Sequence, residues 1–143
     1  IAKSLKLADD VFVSDKEVLE KVMATTQYRG FEKTVDCSGH TLGRQLCVRA
    51  TRKWGKMAMI GEGGTMEFNP SSDLIHDQKT IYGSWVTSIW KMEELVERIV
   101  RWKIHPEDLV THRFTLDKAA EAYKLMAEGK CGKVAIVFDE EIK

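Results

Sequence analysis

Apolar residues in this chain follow two rhythms. Short continuous runs of β-branched and aromatic residues have the pattern of strands covered on both faces. Between them, apolar residues recur three and four positions apart, as on one face of a helix. Val11-Phe12-Val13 is the first run. Ser14 stands three residues before Glu17, the spacing of a capping box, and Val18, Leu19, Val22 and Met23 follow at helical spacing up to Tyr28-Arg29-Gly30. Residues 31–37 predict a second strand ending in Cys37-Ser38-Gly39. Residues 41–52 predict a helix with Leu42, Leu46 and Ala50 on one face. Residues 56–60 predict a third strand that stops in Gly61-Glu62-Gly63-Gly64.

The same alternation continues. Residues 66–69 predict a short strand before Pro70, 73–77 a brief helical turn, and 79–83 a fourth core strand followed by Ser84-Trp85. Met92, Leu95, Val96, Ile99 and Val100 give the clearest helical period in the chain. A turn at 105–108 leads to an extended segment at 110–114. Thr115 is then placed to cap a helix carrying Leu116, Ala119, Ala120, Tyr123 and Met126, which Gly129 ends. A last strand is expected at 133–138, and 139–143 form a polar tail. Strands alternating with helices predict an α/β fold with a parallel sheet. Such sheets bind ligands in the loops after the strands' carboxyl ends, and three of these loops carry glycine.

Composition narrows the picture. Lys and Arg number 22 and so do Asp and Glu, so no charge excess points to nucleic acid or to a membrane surface. No apolar run approaches the roughly 20 residues of a membrane span. Cys37, Cys47 and Cys131 are odd in number and widely spaced, which predicts free thiols in a reducing, cytoplasmic setting. Ile1, Ala2, Lys3, Ser4, Leu5 and Leu7 read as the interior of a helix with no cap before them, so the chain is expected to be cut from a longer protein. His40, His76, His105 and His112 are scattered, and no metal site is expected of them.

The glycine-bearing strand ends also carry a resemblance. Val35-Asp36-Cys37-Ser38-Gly39 resembles the end of the fourth strand in zinc-type medium-chain alcohol and polyol dehydrogenases. Trp54-Gly55-Lys56-Met57-Ala58-Met59-Ile60-Gly61 resembles the stretch into their fifth strand, and Thr80-Ile81-Tyr82-Gly83-Ser84 their sixth. Thr111-His112-Arg113-Phe114 and Gly129-Lys130-Cys131-Gly132-Lys133-Val134 resemble that family's C-terminal return to its catalytic domain. The resemblance implies an incomplete doubly wound, Rossmann-type parallel sheet lacking its first two strands, plus a C-terminal helix and strand. Residues 1–105 would be a partial nicotinamide-cofactor domain and 106–143 the returning segment. It implies NAD or NADP contacts at Cys37, Ser38 and Gly39 on the ribose and adenine side. Ile60, Gly61, Glu62, Gly83, Ser84 and Trp85 would meet the nicotinamide half, and Lys133 the pyrophosphate. It also implies a small alcohol or polyol substrate, and a homo-oligomer joined along residues 79–84. Trp85 and Trp90 are candidates to wall the nicotinamide or substrate cleft, with core packing or the dimer edge at least as strong an alternative.

The departures from that pattern matter as much. The sequence has no G-x-G-x-x-G phosphate loop, and the family's zinc ligands, in its N-terminal catalytic domain, are not in this chain. Catalytic and metal residues are therefore not assigned here, and the chain alone is expected to be inactive. With strands three to six but not one and two, strand three would stand on the order of 14 Å from strand four. Such exposed edges are templates for pairing, so rearrangement, swapping with a copy, or completion by a further segment is expected. Two other readings remain open: a non-catalytic α/β fragment or assembly module, and a zinc-free quinone or enoyl reductase of the same superfamily.

Overall fold

A computed structural model describes residues 2–6 and 8–138. The expectations for Ile1, Leu7 and 139–143 lie outside the described residues. The chain divides into two compact units, Phe12–Thr87 and a second made of Ile1–Val11 with Ser88–Lys143.

The first unit holds helix α1 (Val18–Thr25), strand β1 (Phe31–Asp36), helix α2 (Thr41–Ala50), and strands β2 (Thr51–Met59) and β3 (Thr80–Gly83). The strands form a three-stranded sheet in the order β1-β2-β3, parallel throughout. Helix α2 packs on β1 and β2, and α1 packs on α2. Val48, Ala50 and Met57 form the buried apolar core. Thr51, also buried, donates its hydroxyl to the Cys47 carbonyl at 2.6 Å and lies 2.7 Å from the Thr34 hydroxyl, so a polar group between helix and sheet is satisfied. Strand order and direction match the consecutive half of a doubly wound sheet.

Several expectations change here. Val11-Phe12-Val13 forms no strand, and Val13 is 79% exposed. A strand exists through its ladder, and among the described residues none pairs with this segment. Ser14 does not cap α1, which begins at Val18 with no side-chain cap; Asp15 accepts from the Glu17 amide at 2.9 Å and pairs with Lys21 instead. Residues 66–69 form no strand. The Glu67 carbonyl accepts from Gln45 of α2, and the Asn69 side chain starts a π-helical turn at Ser71–Ile75. Strand β2 starts five residues before the expected 56, because the ladder slips between Phe31↔Thr51 and Lys33↔Lys56. Trp54 takes a left-handed φ of 61° in that bulge, and its amide donates to the Asp77 carbonyl.

In the second unit, residues 2–6 form turns rather than a helix. Helix α3 (Ile89–Trp102) is capped by Ser88, whose hydroxyl accepts from the Lys91 amide, and ends on Lys103 in the left-handed region. A Glu94 carboxylate links Lys91 and Arg98 on its exposed face. Strands β4 (Val110–Phe114) and β5 (Lys133–Ile136) form a parallel pair, packed on by helix α4 (Ala119–Ala127) with Ala122 buried. Thr115 does not cap α4 directly; a 3-10 turn at Leu116–Lys118 comes first. Among the described residues no helix is long and apolar enough to cross a membrane.

Candidate functional site

The parallel register places Asp36, Met59 and Gly83 side by side at the carboxyl ends of β1, β2 and β3. The turns that follow therefore leave one edge of the sheet together. They are tied to it by backbone: Ile60 and Gly61 donate to the Asp36 carbonyl at 2.9 and 3.0 Å, and Ser84 donates to the Met59 carbonyl at 3.0 Å.

Asp36 is the centre of this edge. Its side chain is buried, and its carboxylate accepts from the Ser38 amide, the Ser38 hydroxyl and the Gly39 amide at 3.1, 2.6 and 3.1 Å. Burial pushes the carboxyl upward. The Ser38 and Gly39 donors and the Arg44 charge outweigh that and hold it below the usual carboxylate value. Arg44, on α2, brings Nε to 3.5 Å from the same carboxylate. Its Nη atoms donate to the carbonyls of Gly61 and Gly64 at 2.7 and 3.1 Å. One ion pair thus fastens the turn after β1 to the turn after β2.

The two turns also touch directly. A Cβ on Gly39 would stand 1.9 Å from the Glu62 carbonyl oxygen, and one on Gly61 would stand 2.1 Å from the Gly39 nitrogen. Only glycine permits that approach. Gly39 is buried, with its amide engaged by Asp36, while Cys37 and Ser38 are exposed beside it. Next to them opens a cleft of about 400 Å³ lined by Arg44, Met59, Ile60, Gly61, Glu62, Gly63, Gly83, Ser84 and Trp85. Cys37, Ser38, Gly39, Ile60, Gly61, Glu62, Gly83, Ser84 and Trp85 thus share one sheet edge. Lys133 lies in the other unit, exposed, where it opens β5 opposite Val110. Asp36 and Arg44 escaped sequence reasoning as site residues. An Asp closing a strand before Ser-x-His is a side-chain turn signal, but Arg44 looks like any helix-face cation.

The remaining candidates have local roles. His40 caps α2, accepting from the Leu42 amide. His105 sits 2.9 Å from Glu107, which raises its pKa, and His112 sits 2.9 Å from the Thr111 hydroxyl. The three cysteines are free, and burial pushes the Cys47 thiol up. Among the described residues no three His, Cys, Asp or Glu side chains converge as metal donors.

Comparison with known proteins gives a consistent picture. Residues 1–101 match the family described as zinc-binding dehydrogenase. An uncharacterised zinc-type alcohol dehydrogenase-like protein of Escherichia coli K12, YphC, is 43% identical over 98% of this chain and 40% of its own length. Sorbitol dehydrogenase of Ovis aries is 28% identical over 88% of this chain and 35% of its own. A solved NAD-dependent alcohol dehydrogenase superposes with a TM-score of 0.75 at 28% identity, covering 96% of this chain and 40% of that one. The chain therefore spans about two-fifths of the length of the proteins it matches.

Two substitutions test the packing of this edge. Gly61→Ala is expected to cost about 2 kcal/mol or more in urea unfolding, because its new carbon meets backbone. Gly83→Ala, with nothing within 4 Å of its Cβ, is expected to stay within about 0.5 kcal/mol of wild type. Asp36→Asn tests the ion pair. Because the folded-state pKa lies below 3.8, the stabilisation is whole above that value and is lost as pH falls through the folded value. Wild type should exceed Asp36→Asn by on the order of 1–3 kcal/mol at neutral pH, and the gap should close as the pH drops below 3.8.

Proposed function

The chain belongs to the zinc-binding dehydrogenase family, and on that premise we propose that it forms the nicotinamide-side rim of an NAD(P)-dependent oxidoreductase acting on a secondary alcohol or polyol. The observation that carries this reading is the row Asp36, Met59, Gly83, which sends three short turns into one crevice at the strands' carboxyl ends. Similarity to a sorbitol dehydrogenase and to an NAD-dependent alcohol dehydrogenase supports the substrate and cofactor classes.

The cleft fits a flat ring. Gly63 and Gly83 line it, and a Cβ on either would meet nothing within 4 Å, so that wall is open to a close backbone approach. In this reading Cys37, Ser38 and Gly39 serve the ribose and adenine side of the cofactor. Ile60, Gly61, Glu62, Gly83, Ser84 and Trp85 serve the nicotinamide half. The nicotinamide would supply the hydride acceptor when bound; these residues would bind it and orient it. Among the described residues no three His, Cys, Asp or Glu side chains converge to hold zinc, and no step is routed through it. Residues 1–105 act as part of the cofactor domain and 106–143 as the segment leading to the catalytic domain, a division supported by the family match ending at residue 101. The free thiols suit a cytoplasmic enzyme. The outer edge of β3 has no partner strand among the described residues, which supports homo-oligomer pairing along 79–84.

Calorimetric titration of the 143-residue chain with NAD⁺ and NADP⁺ is expected to give no measurable heat, because a glycine-rich phosphate loop at a helix N-terminus normally holds the pyrophosphate. At millimolar NAD⁺, weak amide shifts should gather at 37–39, 60–64 and 83–85. Tight binding, or shifts centred elsewhere, would show that the cofactor determinants lie in other places. Sedimentation of the same samples as monomer alone would remove the β3 edge from the proposal.

A further inference from the structure

Two cleft-lining groups carry formal charge, Arg44 and Glu62, and they are in different situations. The Arg44 guanidinium faces the Asp36 carboxylate and donates to two carbonyls, so its charge is matched where it stands. Glu62 is exposed at the cleft, and among the described residues no ion pair engages its carboxylate. Counting Asp36 with Arg44, the residues that line the cleft and their ion-pair partner carry one unmatched negative charge. Trp85 lines the same cleft and is 72% exposed, and an indole face attracts cations as well. Met59, Ile60 and the glycines complete a wall that offers no other charge.

We propose that Glu62, with Trp85, makes this cleft selective for a cationic heteroaromatic ring over its neutral counterpart. The inference rests on the function proposed above and deepens it: the ligand would be the oxidised nicotinamide in preference to the reduced one. The two cofactor forms differ by one positive charge on the ring and share the same phosphates and riboses. Only groups beside the ring can tell them apart, because equal affinity for two states shifts nothing. A carboxylate roughly 6 Å from such a charge, in a cleft still open to water, favours the cation by on the order of three- to tenfold. Salt screens the effect, since the carboxylate is solvated.

The test uses two ring fragments, nicotinamide methylated on its ring nitrogen, a permanent cation, and nicotinamide itself, which is neutral. Each is titrated at millimolar concentration into the 143-residue chain, and the amides of 61–64, Ser84 and Trp85 are followed by NMR. The cation should bind about three- to tenfold more tightly in wild type. Glu62→Gln should bring the ratio close to one by weakening the cation alone, and Glu62→Lys should invert it. Glu62 has no ion-pair partner to lose, so both variants should keep the wild-type spectrum outside the cleft. A cation preference that survives both substitutions overturns the role of Glu62. Equal binding of both probes at the cleft in wild type also overturns it, while leaving the cofactor reading in place. If neither probe shifts these amides, both fall.

Discussion

One residue holds both sides of this site. The Asp36 carbonyl receives the amides that begin the turn after β2, and its carboxylate receives the amides of the turn after β1. A buried carboxylate is costly unless its lone pairs are matched. Here two amides and a hydroxyl donate to them, and the Arg44 guanidinium balances the charge without a hydrogen bond from its Nε. The cost of burying the charge becomes geometric constraint on the turns. Gly39 and Gly61 then let the two backbones meet without side chains between them.

That constraint explains how so small a core supports a defined edge. Val48, Ala50 and Met57 are the buried apolar core of this unit, and large apolar side chains such as Leu42, Tyr82 and Trp85 remain exposed. Apolar burial alone would leave the turns loosely placed. The polar network supplies the missing order, reaching from α2 across the ends of β1 and β2. A rim built in this way presents backbone shape and a few charges.

Much of the fold was legible because it depends on short-range pattern. Strands β1 and β3 and helix α3 follow their apolar runs closely, and the three glycine-bearing turns fall where strand ends were expected. What was missed depends on partners that a linear pattern cannot display. Val11-Phe12-Val13 has strand composition but joins no ladder among the described residues. The early start of β2 comes from a bulge around Trp54 whose amide answers Asp77, far along the chain. Ser14 had the right spacing for a cap, yet α1 begins without a side-chain cap, and Asp15 holds the Glu17 amide just before it. At the site, the glycines announced themselves, whereas Arg44 gained its place only when the helix docked and brought it to two carbonyls of another loop.

The central claim is that the turns after β1 and β2 form one packed rim. Nuclear Overhauser contacts in the 143-residue chain measure this directly. Backbone protons of Gly39 should show contacts with those of Gly61 and Glu62, and the amides of Ile60 and Gly61 should resist exchange behind the Asp36 carbonyl. Absence of those contacts, with free exchange at both amides in a folded chain, would contradict the account.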